Sequence, residues 1–288
     1  MLKTPDIPRE NLLELARSQF QLAQQHCDEC CTYHAIWPYL RIAGAVGGVE
    51  ADEPFLQPIL EDLLQQGRTQ ILLAGSADSG VTALVHRVCV KLKHPARLTV
   101  LDRCMTPVMA CQTYAQIHGL DLYGLHANLL SIDLSSKYDL IIGHSVLPFI
   151  PSDERRTLLA ALAKKLNSNG RVLLTVRISS SQSNAINPHS QQRGPHEMAS
   201  FVIDQLTSQS IHLPVSSASF HSLVHDYFQH RRHQVSQFTT QETLANDFDA
   251  VGLKVQALIP LGYGNSYNVG GQFTDVRSKG WAYVVCPA

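Results

Sequence analysis

The chain of 288 residues has no apolar run approaching the roughly 20 residues that a membrane-spanning helix needs. It has no block of consecutive Lys and Arg, and no surplus of either charge: 23 basic and 24 acidic side chains leave a formal net charge of −1 with histidine neutral. Tight binding to nucleic acid rests on neutralising many phosphates, so nucleic acid is not an expected partner. The first ten residues lack the apolar stretch and small-residue cleavage site of a signal peptide. The seven cysteines are odd in number, and three of them crowd at positions 27, 30 and 31 instead of spreading as a disulfide framework does. Reduced thiols in a soluble, cytoplasmic protein are the expectation. No internal repeat appears at periods of 20 to 50 residues.

What is present is core-forming material. With 44% hydrophobic and 16% charged residues the sequence is that of a folded chain, not a disordered one. Fourteen histidines are the one compositional excess.

The apolar spacing divides the chain into two kinds of segment. From Arg9 to His34 the residues Leu12, Ala16, Phe20, Ala23, Cys27, Cys30 and Cys31 recur at steps of three and four, the stripe of one amphipathic helix. Ile36 to Ala45 and Asp52 to Gln66 read as two further helices, the latter stopped by Gly67. After Thr69, short apolar runs alternate with helical patterns: strands at 70–74, 97–102, 122–126, 138–143 and 170–176, with helices at 81–92, 106–118 and 152–166 between them. Such alternation implies right-handed crossovers and a mostly parallel sheet covered on both faces. Ser179 to Gly194 is polar and aperiodic, a surface loop or insert. Helical patterns at 198–209, 220–231 and 240–251 follow, and 253–260 with 280–286 form a closing pair of strands.

Between the first strand of this series and its helix lies Leu72-Leu-Ala-Gly-Ser-Ala-Asp-Ser-Gly80. Small residues at such a junction let a ligand approach the backbone, and the helix start offers free N–H groups. Asp102 ends the next strand, where a doubly wound sheet places an acid against the two hydroxyls of a ribose.

On these residues, and over roughly Thr69 to Val176, the chain resembles the class I S-adenosylmethionine-dependent methyltransferases. Ile71 to Gly80 resembles the first motif of that family and Val100-Leu-Asp102 its ribose-binding acid. Lys137 to Leu147 resembles its fourth strand, and Leu166-Asn-Ser-Asn-Gly-Arg-Val-Leu-Leu174 the approach to its fifth. The resemblance implies an α/β fold with a seven-stranded, mostly parallel, doubly wound sheet and an N-terminal helical lid. It implies a helical cap at 1–68, and a Rossmann-like catalytic domain at 69–288 carrying a helical and loop insert at 178–238. The implied cofactor is S-adenosyl-L-methionine, held by Gly75, Ser76, Asp78, Gly80, Asp102, Arg103, Asn128 and His144, with Arg41 pairing with its carboxylate. The family's usual acid at the first strand end is replaced here by Ala74, and Ser76 and Asp78 stand at two glycine positions. The acid has moved to Asp78 or another group holds the methionine end.

Three constellations remain. His26-Cys-Asp-Glu-Cys-Cys-Thr-Tyr-His34 contains good zinc ligands, but its cysteines continue the apolar stripe, where cysteine acts as a small buried hydrophobe; the expectation is a structural role and no metal. Tyr33, His34, Trp37, Tyr39 and Arg41 form either part of a lid or an aromatic seam between helices and sheet. His144 ends the fourth strand at the edge where open parallel sheets bind ligands, so it is a candidate base, a cofactor contact or a capping residue, with Tyr33 and His34 as further catalytic candidates. His221 and His225 lie one helical turn apart beside Arg231 and Arg232 and read as a solvated face; His189 and His196 sit in the polar loop, where they could close over a substrate.

The resemblance implies methyl transfer to an O, N or S atom of a small molecule. The chain has no Asn/Asp-Pro-Pro-Tyr segment and no Pro-Cys nucleophile segment. The alternatives are a protein that binds S-adenosylmethionine on the same scaffold without methylating, and an NAD(P)-dependent oxidoreductase, which the absence of Gly-x-Gly-x-x-Gly disfavours. Neither a membrane partner nor an oligomeric state is indicated, and a homodimer stays open.

Overall fold

The computed structural model describes residues 11–132, 135–179, 194–234, 240–261 and 278–288. Most of the polar segment 179–194, including His189, lies outside the described residues.

The expected single helix from Arg9 to His34 is two helices. α1 (Leu12–His26) starts on Asn11, whose side chain accepts a hydrogen bond from the Glu14 N–H at 3.3 Å, and α2 spans Cys31–Ile42. Between them Cys27 is extended and a turn closes from Cys31 N–H to the Asp28 carbonyl at 3.3 Å. Cys27 and Cys30 therefore flank a break in the chain and do not continue a helical stripe. α3 (Glu53–Gln65) carries proline in its first turn, where the missing N–H costs nothing, and stops before Gly67 at φ +83°.

The alternating part follows the expected order: β1 (Gln70–Ala74), α4 (Gly80–Leu92), β2 (Arg97–Asp102), α5 (Met105–His118), β3 (Leu122–His126), β4 (Tyr138–His144), α6 (Arg155–Lys164), β5 (Leu166–Ser179), α7 (Pro195–Ser208), α8 (Ser217–Gln234), α9 (Gln241–Ala250), β6 (Leu253–Pro260) and β7 (Ser278–Pro287). The seven strands lie in the order β3-β2-β1-β4-β5-β7-β6. β7 runs antiparallel to both β5 and β6, and the other pairings are parallel.

Alternation along the strands builds two cores. Ile71, Leu73, Val100 and Ile142 face α3, α4 and α5, where they meet Leu60, Leu84 and Val108. Leu72, Leu101, Ile141 and Leu174 face the other way, toward α6 and α9, where they meet Leu158 and Phe248. β1 and β4 are buried on both sides, which is why their sequences are continuous apolar runs.

A third core lies apart from the sheet. Phe20, Ile36, Tyr39 and Leu40 of α1 and α2 pack against Val202 of α7 and Phe220, Val224 and Tyr227 of α8. The N-terminal helices and the insert thus make one helical layer, although more than 150 residues of sequence separate them. α3 falls on the sheet side instead, since its leucines join the sheet core. The helical layer therefore differs from a cap running to residue 68.

Candidate active site

The strand order diverges at β1, with β2 and β3 on one side and β4 and β5 on the other. In an open parallel sheet the crevice at the carboxyl ends of such strands is the ligand site. The chain leaves β1 through Gly75, whose φ of +78° is a conformation that side-chain-bearing residues rarely adopt. Its N–H donates to the Leu101 carbonyl at 2.9 Å, and a Cβ placed there would stand 2.9 Å from Val146 Cγ2. The turn is thus wedged between β2 and the segment that follows β4.

Asp102 closes the far side of this turn. Its Oδ2 accepts from the Ser76 N–H at 2.9 Å and its Oδ1 from the Cys104 N–H at 2.7 Å. Burial pushes its carboxyl above the ordinary range, and those two backbone donors oppose the rise. Each oxygen keeps a lone pair for a further donor, such as a sugar hydroxyl. Ser76 Oγ, in the same turn, is buried with no hydrogen-bond partner among the described residues.

The next turn is occupied differently from the expectation. Asp78 Oδ1 accepts from the Gly80 N–H at 2.8 Å, at the start of α4, and Oδ2 is paired with Arg41. Arg41 of α2 is buried and also pairs with Glu50. The two residues expected to hold the amino-acid end of a cofactor are therefore committed to each other. They pin α2 to the β1–α4 turn, and Gln19 of α1 does the same by donating to the Ala77 carbonyl at 2.9 Å and the His34 carbonyl at 3.0 Å.

At the end of β4, His144 Nε2 lies 2.7 Å from Asp52 Oδ2. Asp52 stands just before α3 and is only 1% exposed. A carboxylate accepts, so Nε2 carries the hydrogen and Nδ1 is left as the basic nitrogen. Ser145 follows in a left-handed conformation at φ +54°, held by its N–H to Thr175 Oγ1 at 2.9 Å. A non-glycine residue in that region is strained, and such strain gathers at functional sites. Four residues beyond, Phe149 approaches Tyr33 with ring centroids 5.7 Å apart, and Tyr33 stacks on Tyr227 at 5.9 Å and meets Trp37 at 5.3 Å. The seam thus joins α2, α8 and the exit of β4.

His34 belongs elsewhere. Its Nδ1 lies 3.4 Å from Cys27 Sγ, which in turn is 3.2 Å from Cys104 Sγ and 3.0 Å from Thr106 Oγ1. Burial of the His34 ring works against the charged form, but hydrogen bonds to Cys104 and Cys30 outweigh it and raise the pKa to about 9. The hydrogen bond between Cys27 and Cys104 pushes the first thiol up and the second down. Held in this cluster, His34 has a place different from that of a base facing an acceptor.

Asn128 is exposed beyond β3, and its side chain accepts from the Leu130 N–H at 3.0 Å. Arg103 is exposed as well, and its carbonyl accepts from His126. His221 lies beside His196, ring centroids 4.6 Å apart, and His225 is 3.2 Å from Asp226. Asp52 and Cys104 are the residues that sequence reasoning passed over. Asp52 stood only as a helix start, and no spacing links Cys104 to the cysteines near residue 30. No helix among the described residues is long and apolar enough to cross a membrane.

No sequence-family model matches the chain, and no curated protein matches it. Solved structures do. The chain is similar to the mitomycin 7-O-methyltransferase MmcR at a TM-score of 0.52 and 14% identity, over 94% of this chain and 61% of MmcR. An S-adenosylmethionine-dependent methyltransferase from Clostridium acetobutylicum gives 0.51 and 12%, over 87% of this chain and 96% of that one. The magnesium protoporphyrin IX methyltransferase ChlM from Synechocystis, solved with bound S-adenosylhomocysteine, gives 0.50 and 13%, over 88% and 94%. At these identities the likeness is one of fold, and the fold is that of the class I S-adenosylmethionine-dependent methyltransferases.

Proposed function

We propose that the chain binds S-adenosyl-L-methionine at the carboxyl edge of β1, β2 and β4 and transfers its methyl group to an O, N or S atom of a small molecule. The observation that carries this reading is Asp102, whose two oxygens are set by the Ser76 and Cys104 amides at the mouth of the glycine turn. The polar groups present fit such a ligand: Asp102 to accept from the ribose hydroxyls, the buried Ser76 hydroxyl for a polar group of the ligand, and Asn128 beside the adenine. When bound, the cofactor supplies an electrophilic methyl group on a positively charged sulfur.

The work of the chain is then positional. The helical layer closes over the crevice and keeps water from it, and a nucleophile held in line with the methyl carbon gains most of its rate from that alignment. His144, with Nε2 tied to Asp52, presents Nδ1 to take a proton from an acceptor hydroxyl, amine or thiol. Asp52 is a positioning residue in this scheme. Tyr33, Trp37, Phe149 and Tyr227 provide an aromatic wall for the acceptor.

A second reading, in which the same cofactor is bound without methyl transfer, draws on Ala74 and on the Arg41–Asp78 pair, which together leave the first motif without a free acid. Calorimetry with S-adenosylmethionine, S-adenosylhomocysteine and NAD(P) tests both readings against a nucleotide oxidoreductase. The sulfur compounds bind, NAD(P) does not, and Asp102→Ala weakens them at least tenfold, on the order of 1.4 kcal/mol. Unchanged affinity in that variant would remove Asp102 from the site. Conversion of S-adenosylmethionine to S-adenosylhomocysteine in the presence of small-molecule acceptors, lost in His144→Ala, separates the methylating reading from the second.

A further inference from the structure

The break between α1 and α2 brings together side chains that the methyl-transfer reading does not use. The ligand atoms of Cys27, Cys30, His34 and Cys104 all lie within 4.8 Å of one another, and theirs is the one such group among the described residues. Three come from a single turn, Cys27-x-x-Cys30-x-x-x-His34, and the fourth from the residue before α5. We infer that these four residues bind one zinc ion, as a closed structural site that fastens the helical layer to the sheet.

The geometry suits that ion. A tetrahedral zinc with bonds of about 2.3 Å to sulfur and about 2.0 Å to nitrogen needs ligand atoms roughly 3.5–3.8 Å apart. Cys27 Sγ stands 3.2 Å from Cys104 Sγ and 3.4 Å from His34 Nδ1, and all four ligand atoms lie within 4.8 Å of one another, a range that brackets those values and that modest side-chain rotation can bring to a tetrahedron. A disulfide has sulfurs about 2.05 Å apart and takes two residues, which leaves Cys30 and His34 without a reason to converge. Three thiolates and an imidazole, with no carboxylate among them, select zinc over magnesium, calcium or manganese. Four protein ligands also fill the tetrahedron, which marks a structural site and not one that activates water.

The surroundings support the ligand set. Cys30 is the residue just before α2 and His34 lies one turn on, with the His34 N–H bonded to the Cys30 carbonyl at 3.1 Å, so the two side chains stand at the same side of the helix start. Thr106 Oγ1, 3.0 Å from Cys27 Sγ, is placed to donate to a thiolate, the kind of outer contact that tunes a metal ligand. Cys31, adjacent in sequence, is outside the group.

The site has a consequence for the crevice. The Cys104 N–H donates to Asp102, so a metal on Cys104 Sγ would fix the loop that orients the ribose-side acid. That consequence rests on the proposed cofactor reading, whereas the metal site does not.

The test uses the full chain, incubated with zinc, desalted and analysed for metal, with cobalt(II) as the spectroscopic probe. The expected content is one zinc per chain. The cobalt form shows thiolate-to-metal charge transfer and the strong visible bands of tetrahedral cobalt. Cys30→Ser and Cys104→Ser each lower zinc affinity at least tenfold against a chromophoric chelator, and Cys31→Ser does not. His34→Cys keeps tetrahedral cobalt with stronger charge transfer, an outcome that a misfolded variant does not give. Wild-type protein that takes up neither ion overturns the inference, as does a Cys27–Cys104 disulfide in the folded chain or loss of metal in Cys31→Ser equal to that in Cys104→Ser. Metal content is read without cofactor, so S-adenosylhomocysteine binding that fails while zinc stays bound would count against the proposed function alone.

Discussion

His144 and Asp52 lie 92 residues apart in the chain and meet at 2.7 Å, joining the end of β4 to the start of α3. The Asp52 side chain is 1% exposed and that of His144 17%, so the two members of the pair are not equally able to stand alone. Water can reach an unpartnered imidazole more easily than it can reach this carboxylate.

That asymmetry orders a pair of substitutions. His144→Ala leaves a buried carboxylate without its donor and should cost about 3–5 kcal/mol of unfolding free energy. Asp52→Ala leaves a histidine that water can partly reach and should cost about 1–3 kcal/mol. The double variant should fall short of the sum by about 1–3 kcal/mol. Urea unfolding of the four proteins measures all three quantities, and equal single costs with additive behaviour would mean that the contact carries no energy.

Gly75 offers a test of the turn itself. Gly75→Ala meets two obstacles, the positive φ and the approach to Val146 Cγ2 at 2.9 Å. The first costs about 1–3 kcal/mol for a side-chain-bearing residue. Val146→Ala removes only the second, so Gly75→Ala made in that background should still lose about 1 kcal/mol or more. A double variant as stable as Val146→Ala alone would show that the turn relaxes to another conformation. Thermal unfolding with and without S-adenosylhomocysteine reads the stability and the state of the crevice together.

These contacts show where the sequence was readable and where it was not. β1 and β4 were plain because a strand buried on both faces must be apolar throughout, and Asp102 was plain because it ends a strand. The break at Cys27 was hidden, since cysteine fits an apolar stripe as well as it fits a metal site, and its real partner, Cys104, is 77 residues away. Arg41 and Asp78 each matched a cofactor role when taken singly, and only folding shows that they neutralise one another. The shared core of α1, α2, α7 and α8 was invisible for the same reason: periodicity marks the buried face of each helix but not the element that covers it.

His86 of α4 gives the clearest pH dependence. Its ring is buried, with Nδ1 3.0 Å from the Tyr114 hydroxyl and the His118 ring at 5.4 Å. Burial first, and then the charges of His118 and Arg87, push its pKa below the ordinary 6.5. The unfolded chain therefore takes up this proton before the folded one does. The stability tied to the neutral ring is complete above pH 6.5 and is lost as pH falls through the lower folded value. His86→Gln keeps a neutral polar group beside Tyr114 and removes the titration. The advantage of wild type over this variant should thus be larger at about pH 8 than at about pH 5, with a slope no steeper than about 1.4 kcal/mol per pH unit, the limit for one proton. Urea unfolding across that range measures it; an advantage that stays constant would mean that the ring titrates alike in the folded and unfolded chain, and one that grows toward acid would mean that the folded protein favours the protonated ring.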